Sequence, residues 1–527
     1  MFNNEAPIDF SKKQNRDSCT QAQKELVSTL PIRAIPHVGG TEVDQTFEWS
    51  EHTCPFDNSL TVSKWPKTNT DLAEKAIQCS VEAFKTWSKT PVQARCETLR
   101  KLAKLMRERK TYLMTIIMYE VAKTYHEADA DVCEAIDFCL YYAEQMEALS
   151  GERLMSDMPG ERNTYFYRAK GPSLVISPWN FPLAILCGMT VAPLVAGNTV
   201  IIKPAEQSCA VANEFYKLVL DAGFSSKVVQ FLPGQGELVG AYLVRHKDTH
   251  IINFTGSKAV GLNIIQAASA LATGQKHIKK VLAEMGGKNA LIIDADADLD
   301  EAVVGALDSA FNFQGQKCSA LSRLIVHQDI FDKFKKRFCQ ALDSIQFGRV
   351  DNPANKISAV IDEESKNRLL SMIEKNKKFL IYQKDIAVEL RDGGNFVPPT
   401  VFESTDGQSE LMQNEFFGPV VCLYKAKDLE HAIEVTNSTN YALTAGIFSR
   451  SPKNIEFARA AIEAGNFYIN RSITGALVCR QPFGGYKLSG VGAKAGGPDY
   501  LRQFLEPHTV SENIMRRGFA PISKMNA

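Results

Sequence analysis

Cys318 stands in Phe313-Gln314-Gly315-Gln316-Lys317-Cys318-Ser319-Ala320, a glycine-interrupted turn. A thiolate there can attack a carbonyl carbon, and the thioester it forms can still be hydrolysed. The plain alternative is a small buried hydrophobe, so the surroundings decide. Glu284 closes the run Val281-Leu282-Ala283-Glu284-Met285-Gly286-Gly287. A carboxyl beside apolar residues loses solvation, which raises its pKa and suits it to act as a base near neutral pH. A capping or ion-paired glutamate is the other reading. Lys203-Pro204-Ala205-Glu206 offers a carboxylate that can accept hydrogen bonds from ribose hydroxyls and would repel a 2′-phosphate; otherwise the two are an exposed ion pair of small value. Gly234 and Gly236 are followed by Gly240, one residue beyond the usual dinucleotide spacing and weak evidence alone. Thr255-Gly256-Ser257 is better placed, because open amides ahead of a helix can receive a phosphate. His246 and His250 have the spacing of a helical metal pair, but Lys247-Asp248-Thr249 reads as a turn and a third ligand is lacking, so no metal is expected.

These residues need elements to hold them. Leu299, Ala302, Val303, Ala306, Leu307 and Ala310 share a helical face behind a capping pair, Asp298 and Glu301. Leu324-Ile325-Val326 reads as a strand, so Cys318 falls in a loop between helix and strand. From Gly171 onward, short apolar runs at 173–177, 199–203, 228–232 and 250–254 alternate with helical stretches at 207–220 and 258–271. Such alternation predicts a parallel sheet covered on both faces, with ligands beyond the carboxyl ends of its strands. A second α/β unit spans 289 to about 470, with helices at 330–345 and 452–464 and strands at 420–424 and 467–469. Residues 71–87 and 94–146 form a helical layer, and 151–170 a hairpin opened by Met158-Pro159-Gly160. Its aromatics suit an inter-subunit role, the plain alternative being a covered edge. The expected division is a surface segment at 1–40 with a helix near 21–27, a first domain at 41–288 carrying that hairpin, a second at 289–480, and a return to the first at 481–527.

At 527 residues the chain exceeds one ordinary core, so more than one domain is expected. Lys+Arg and Asp+Glu balance at 60 each, which favours a small-molecule partner over nucleic acid. The 12 cysteines contain no C-x-x-C pair, suiting neither zinc nor a disulfide framework but a reducing compartment. The apolar run 112–119 is too short to span a bilayer, and the acidic residues among the first thirty argue against a secretory leader. A cytoplasmic location is expected.

With these motifs in place the chain resembles the aldehyde dehydrogenase superfamily from residue 43 to about 519. The match rests on Ser177-Pro178-Trp179-Asn180-Phe181-Pro182, Lys203-Pro204-Ala205-Glu206, Phe254-Thr255-Gly256-Ser257, Glu284-Met285-Gly286-Gly287-Lys288, Gly315-Gln316-Lys317-Cys318, Glu415-Phe416-Phe417-Gly418-Pro419 and Pro482-Phe483-Gly484-Gly485, in that order. Lys317-Cys318-Ser319-Ala320, Thr474-Gly475-Ala476, Arg480-Gln481 before Pro482, and Lys494-Ala495-Gly496-Gly497-Pro498-Asp499-Tyr500 are similar to the members that oxidise L-glutamate γ-semialdehyde, a step of proline degradation. The resemblance implies an α/β fold of a Rossmann-like NAD-binding domain, a second α/β catalytic domain and a small β oligomerisation element. It implies Cys318 as nucleophile, Asn180 as oxyanion donor and Glu284 as the base that activates water. NAD would lie against Ile176, Ser177, Trp179, Lys203, Glu206, Gly236, Thr255, Gly256, Ser257, Glu415 and Phe417. Gly475, Ala476 and Ser319 would take the substrate carboxylate with Lys317 nearby, Phe181 and Phe483 would sandwich its chain, and Glu134 resembles a family carboxylate near the site. The hairpin near Tyr165 and the segment 509–517 resemble the family's oligomerisation elements, so a homodimer or an assembly of dimers is implied. Some members are fused behind a proline dehydrogenase; here the chain opens at Met1 without a flavin domain, leaving such an enzyme as a transient partner. The competing readings are another short substrate such as succinate semialdehyde, a catalytically silent relative, or a cysteine hydrolase needing a paired histidine.

Overall fold

Val200–Lys203 is buried along its whole length, as a strand inside a covered parallel sheet must be. The computed structural model describes residues 2–44, 47–156 and 158–515. Among these, the strand belongs to an 8-stranded sheet ordered Gly490–Val491, Lys280–Glu284, Ile251–Thr255, Ser173–Ile176, Val200–Lys203, Val229–Phe231, His37–Val38, Thr41–Glu42. The inner pairings from Lys280–Glu284 to Val229–Phe231 are all parallel. Strand order reverses between Ser173–Ile176 and Ile251–Thr255, the switch point at which such sheets open a crevice.

A 7-stranded sheet holds the second half, ordered Leu380–Gln383, Thr400–Ser404, Val420–Ala426, Leu321–His327, Asn289–Ile293, Thr444–Phe448, Asn466–Ile469. Its pairings are parallel apart from the antiparallel edge Leu380–Gln383. Leu299–Phe311 covers it, capped by the Asp298 carboxylate, which accepts from the amides of Asp300 and Glu301. Arg323 on its inner strand is fully buried, donating to the carbonyls of Lys288 (2.9 Å), Val435 (2.7 Å) and Thr436 (2.8 Å). Arg323→Leu would strand three carbonyls in a dry interior. We expect it to cost about 3–5 kcal/mol, read as a lower urea midpoint at unchanged slope; a shift equal to that of an exposed Arg→Leu control would refute this account.

The helical layer is Thr70–Trp87, Val92–Glu108, Lys110–Val121 and Tyr125–Leu149. Residues 2–40 are mostly exposed or half-buried, but they are tied into the fold at several points. Lys13–Thr29 is helical and buries Cys19, Gln23 and Leu26, and His37–Val38 extends the first sheet. The reason is polar: buried Asp129 and Asp137 of the layer need donors, and the amides of Ile8 (2.7 Å) and Glu5 (2.7 Å) supply them.

The expected hairpin is one side of a 3-stranded ribbon. Glu161–Ala169 pairs through its whole length with Leu505–Asn513, but through only two residues with Arg153–Leu154. Of the segment 509–517, residues 516 and 517 lie outside the described residues. Among those described, no helix is long and apolar enough to cross a membrane.

Candidate active site

The chain passes from Glu284, at the carboxyl end of a first-sheet strand, to Asn289, at the amino end of a second-sheet strand, through four residues. The facing edges of the two sheets therefore meet around one short connection. On one side lie the strand ends Ile176, Lys203, Thr255 and Glu284; on the other lie the strand starts Asn289, Leu321 and Thr444.

Cys318 sits on that second edge. After Leu299–Phe311 the backbone turns left-handed at Phe313 (φ 50°), Gln314 (φ 54°) and Gly315 (φ 67°). The two non-glycine residues cost about 1–3 kcal/mol each in strain, which their burial must hold in place. Gly315 is required, since a Cβ there would lie 2.2 Å from the Gly418 carbonyl oxygen. Asn289 then clamps the turn: its Nδ2 donates to the carbonyls of Cys318 (2.7 Å) and Ala320 (2.8 Å), while its Oδ1 accepts from the Thr444 amide (3.0 Å). Gly287 leaves room, because a Cβ there would approach the Cys318 carbonyl to 2.8 Å.

Cys318 is half-buried. Burial pushes its thiol up to about 12, and the Glu284 and Glu415 carboxylates add to the rise. The resting nucleophile is thus a protonated thiol. Exposed Cys479 offers an internal comparison: we expect iodoacetamide at pH 7.5 to alkylate Cys318 at least about tenfold more slowly, by peptide mass mapping, with the gap narrowing as pH rises. Equal rates would mean that the thiolate is already formed.

Asn180 is buried, and its Nδ2 donates to the Gln316 carbonyl (3.0 Å), which fixes the amide beside the cysteine turn. That bond uses one of two N–H groups and leaves the other for an oxyanion. Glu284 has its Oε2 buried without a hydrogen-bond partner. Burial raises its carboxyl to about 8, against the pull of the Gly485 amide and the Lys494 ammonium.

Most of the expected cofactor residues lie along the first edge. The Ser177 amide donates to the Lys203 carbonyl (3.3 Å), closing the ends of adjacent strands. Lys203 is buried, not the exposed partner of the alternative reading, and its Nζ lies 2.6 Å from Glu206 Oε1. The same oxygen accepts from the Gly236 amide (2.9 Å), joining the Lys203–Glu206 pair to a glycine 30 residues further on. Gly256 must be glycine, since a Cβ would strike the Phe254 ring at 2.6 Å, and its amide donates to the Glu284 carbonyl (3.1 Å). Ser257 caps Lys258–Ser269, accepting from the Val260 amide, with Thr255 just before it. Across the crevice, Trp179 meets Phe417 edge to face at 5.6 Å, and Glu415 Oε1 accepts from the Gly287 amide (2.9 Å). The carboxylate beside Gly236, with the capped helix at the switch point, fits a nucleotide carrying ribose and phosphate.

On the substrate side the placements are less uniform. Lys317 does not present a free charge: Glu127 lies 3.4 Å from its Nζ. Phe181 carries the Lys123 ammonium over its ring at 3.7 Å, and buried Lys123 is held by Asp131 at 2.7 Å. Glu134 is raised to about 8, chiefly by burial and next by Asp131, with Lys123 opposing. Ser319 is buried, its carbonyl accepting from the Thr444 hydroxyl (3.3 Å). Gly475 (φ 76°) is exposed with open space at its Cβ position, next to half-buried Ala476. Their loop is tied to the nucleophile's helix by the Ile473 amide, which donates to Ser309 Oγ (3.0 Å). Phe483 exchanges two backbone hydrogen bonds with Ala495 (2.9 and 2.8 Å), putting that loop against Glu284's neighbours. Sequence reasoning missed Lys123, Asp131 and Asn289. Asn289 directly follows Gly286-Gly287-Lys288 and was open to notice; Lys123 gave no local sign.

His246 and His250 are taken up elsewhere, His246 by Glu74 (3.0 Å) and His250 by a ring stack on His277. Among the described residues no group of three or more His, Cys, Asp or Glu could hold a metal ion.

Comparison with known proteins adds to this geometry. The model of the Aldehyde dehydrogenase family matches residues 43–510. A 1-pyrroline-5-carboxylate dehydrogenase of Halalkalibacterium halodurans is 41% identical over 97% of this chain and 99% of its own. The Thermus 1-pyrroline-5-carboxylate dehydrogenase with bound NAD superposes with a TM-score of 0.94 at 42% identity, covering 97% of this chain and 99% of that one. Proline utilization A from Bdellovibrio bacteriovorus gives a TM-score of 0.96 at 46% identity, covering 99% of this chain but 54% of the longer one.

Proposed function

The chain belongs to the aldehyde dehydrogenase family, and from that membership we propose that it oxidises L-glutamate γ-semialdehyde, the open form of 1-pyrroline-5-carboxylate, to L-glutamate with NAD. The observation that carries this is the convergence of Cys318, Asn180 and Glu284 on the connection between the two sheets, beside the Lys203–Glu206–Gly236 cradle.

NAD, when bound, supplies the hydride acceptor. Everything else falls to the chain. The Cys318 proton passes to solvent water as the sulfur adds to the aldehyde carbon, and the electron pair of the broken C=O π bond moves onto the oxygen, which takes up negative charge. Asn180 Nδ2 and the Cys318 amide receive that oxygen, a preorganised pair worth most where water is excluded. After oxidation the carbon is a thioester. Glu284 takes a proton from water as the water oxygen adds to that carbon, and collapse expels the Cys318 sulfur with glutamate as product. Asn180→Ala should therefore lower kcat by about 10²-fold with the aldehyde KM changed much less; a change confined to KM would remove Asn180 from the transition state.

For the substrate we assign the α-carboxylate to the open backbone at Gly475 and Ala476 and to Ser319. Phe181 and Phe483 line the aliphatic chain, and Glu134 is the carboxyl near the site. Lys317, already paired with Glu127, steadies this region instead of binding alone. The direct test is NADH formation from glutamate semialdehyde against succinate semialdehyde. A strong preference for the amino acid aldehyde is expected; equal or reversed preference would keep the enzyme class and discard the substrate.

Glu206 should select NAD, since its carboxylate would repel a 2′-phosphate. Glu206→Ser is expected to raise kcat/KM for NADP and to lower it for NAD, narrowing the ratio by about tenfold or more. An unchanged ratio would place the ribose elsewhere.

We further assign residues 41–288 and 481–527 to the cofactor domain and 289–480 to the catalytic domain. A homodimer forms through the ribbon of Glu161–Ala169 and Leu505–Asn513, which leaves Leu154, Met155, Met158, Val510, Ile514 and Met515 exposed. A proline dehydrogenase would meet the enzyme only transiently, and the setting is the cytoplasm.

A further inference from the structure

Glu284 is asked to ionise in an apolar surround, and Lys494 is a cation placed to help it. Lys494 lies across Gly484 from the carboxyl: a Cβ built on Gly484 would be 2.9 Å from Glu284 Oε1 and 3.4 Å from Lys494 Cα and Cγ. The Lys494 ammonium donates to the Gly465 carbonyl and to Asn466 Oδ1 (3.1 Å). Asn466 in turn holds the turn that receives Glu284, since its Nδ2 donates to the Pro482 carbonyl (3.0 Å) and its Oδ1 accepts from the Gly484 amide (3.4 Å). Next in sequence, Ala495 exchanges backbone hydrogen bonds with Phe483 on that turn. Gly490, from the edge strand, approaches the other side, where a Cβ would come within 3.3 Å of Glu284 Oε2. That oxygen is the buried one without a partner. The mechanism above uses Glu284 and leaves Lys494 without a task.

Resting on the assignment of Glu284 as the hydrolytic base, we propose that Lys494 is its positioning residue, anchoring the 482–485 turn beneath the carboxyl and supplying the positive charge that stabilises the carboxylate. The other groups that act on this carboxyl do not replace it. The Gly485 amide contributes a hydrogen bond, and Cys318 and Tyr500, which also feel the Glu284 charge, are neutral acids there. Burial lowers the Lys494 pKa and Glu284 opposes that, as expected of a half-buried cation facing a carboxylate. Lys494 is half-buried, and both acceptors of its ammonium, the Gly465 carbonyl and Asn466 Oδ1, favour the charged form.

The test uses the full chain with Lys494→Met, Lys494→Gln and Lys494→Arg, following NADH release through the first turnover and the steady state across pH. Glutamine keeps a donor for Gly465 and Asn466 without the charge, so a folding loss in the methionine variant does not end the test. In Met and Gln enzymes, the pH at which steady-state turnover rises should move up by about one unit, and an NADH burst of one equivalent per site should appear as hydrolysis slows about tenfold or more. Arginine should keep the rise near its original pH. A rise that stays in place in the Gln enzyme, or moves equally in the Arg enzyme, overturns the role. Failure of the underlying reading looks different: Glu284→Gln itself would then give no burst, and the Lys494 role would fall with it.

Discussion

Cys318→Ala should abolish NADH formation from glutamate semialdehyde, lowering kcat/KM by about 10⁴-fold or more, while NAD still binds within about twofold of its original affinity. The size follows from the step that is lost. Without a thiol, no tetrahedral carbon forms from which hydride can leave; Cys422 on the neighbouring strand is buried in the core and Cys479 is exposed on a different loop. The substitution is also gentle on the fold. The Asn289 bonds that hold the turn go to the carbonyls of residues 318 and 320, not to the sulfur, so alanine leaves them intact. Nor does it touch the Lys203–Glu206–Gly236 cradle. Steady-state assay, calorimetric titration with NAD and a thermal melt together separate the outcomes. Activity surviving above about 1% would sink covalent catalysis at Cys318, and loss of NAD binding or of melting temperature would mean that the variant reports on folding.

The residues legible in the sequence were those whose chemistry is written in a local pattern. The alternation beginning at Gly171 gave the first sheet, since strands buried on both faces are apolar runs whatever their partners. Lys203 and Glu206 were legible for the same reason, standing at the end of such a run. Asp298 was readable as a cap because three residues suffice to make one. What could not be read depends on distant contacts. Buried Lys123 is explained by Asp131 and the ring of Phe181, which no pattern around residue 123 announces. The N-terminal segment lies largely at the surface, as its polar sequence implies, but its anchors are distant: the amides of Glu5 and Ile8 donate to Asp137 and Asp129. The ribbon was half seen: aromatic β-formers at 163–168 signal a strand, but its long partner, Leu505–Asn513, lies more than three hundred residues away. Lys317 shows the converse. Its charge was plain in the sequence, and Glu127, which neutralises much of it, was not.

Glu284→Gln should separate the two halves of the reaction. Glutamine occupies nearly the same space and can still meet the Gly485 amide, but it cannot take a proton from water. Oxidation of the first substrate molecule should proceed to the thioester, giving a burst of one NADH per site, after which turnover falls about 10²–10³-fold. In the unsubstituted enzyme the same residue sets a pH dependence whose sign can be worked out. Burial lifts its carboxyl from 4.5 to about 8, so at pH 7 the protonated form prevails. The competent carboxylate grows as pH rises through about 8 and is lost as pH falls below it, so steady-state turnover should climb across that range, with a slope the Gln enzyme lacks. The same shift acts on stability in the opposite sense. Between about 4.5 and 8 the folded protein holds a proton that the unfolded chain has released, so this group's contribution declines as pH rises through that window. Quenched-flow measurement of the burst at pH 6.5 and 8.5 gives the decisive comparison. A full burst followed by slow turnover in the Gln enzyme fits hydrolysis by Glu284. Loss of the burst as well would move the residue to an earlier step, the removal of the proton that burial and the two carboxylates keep on Cys318.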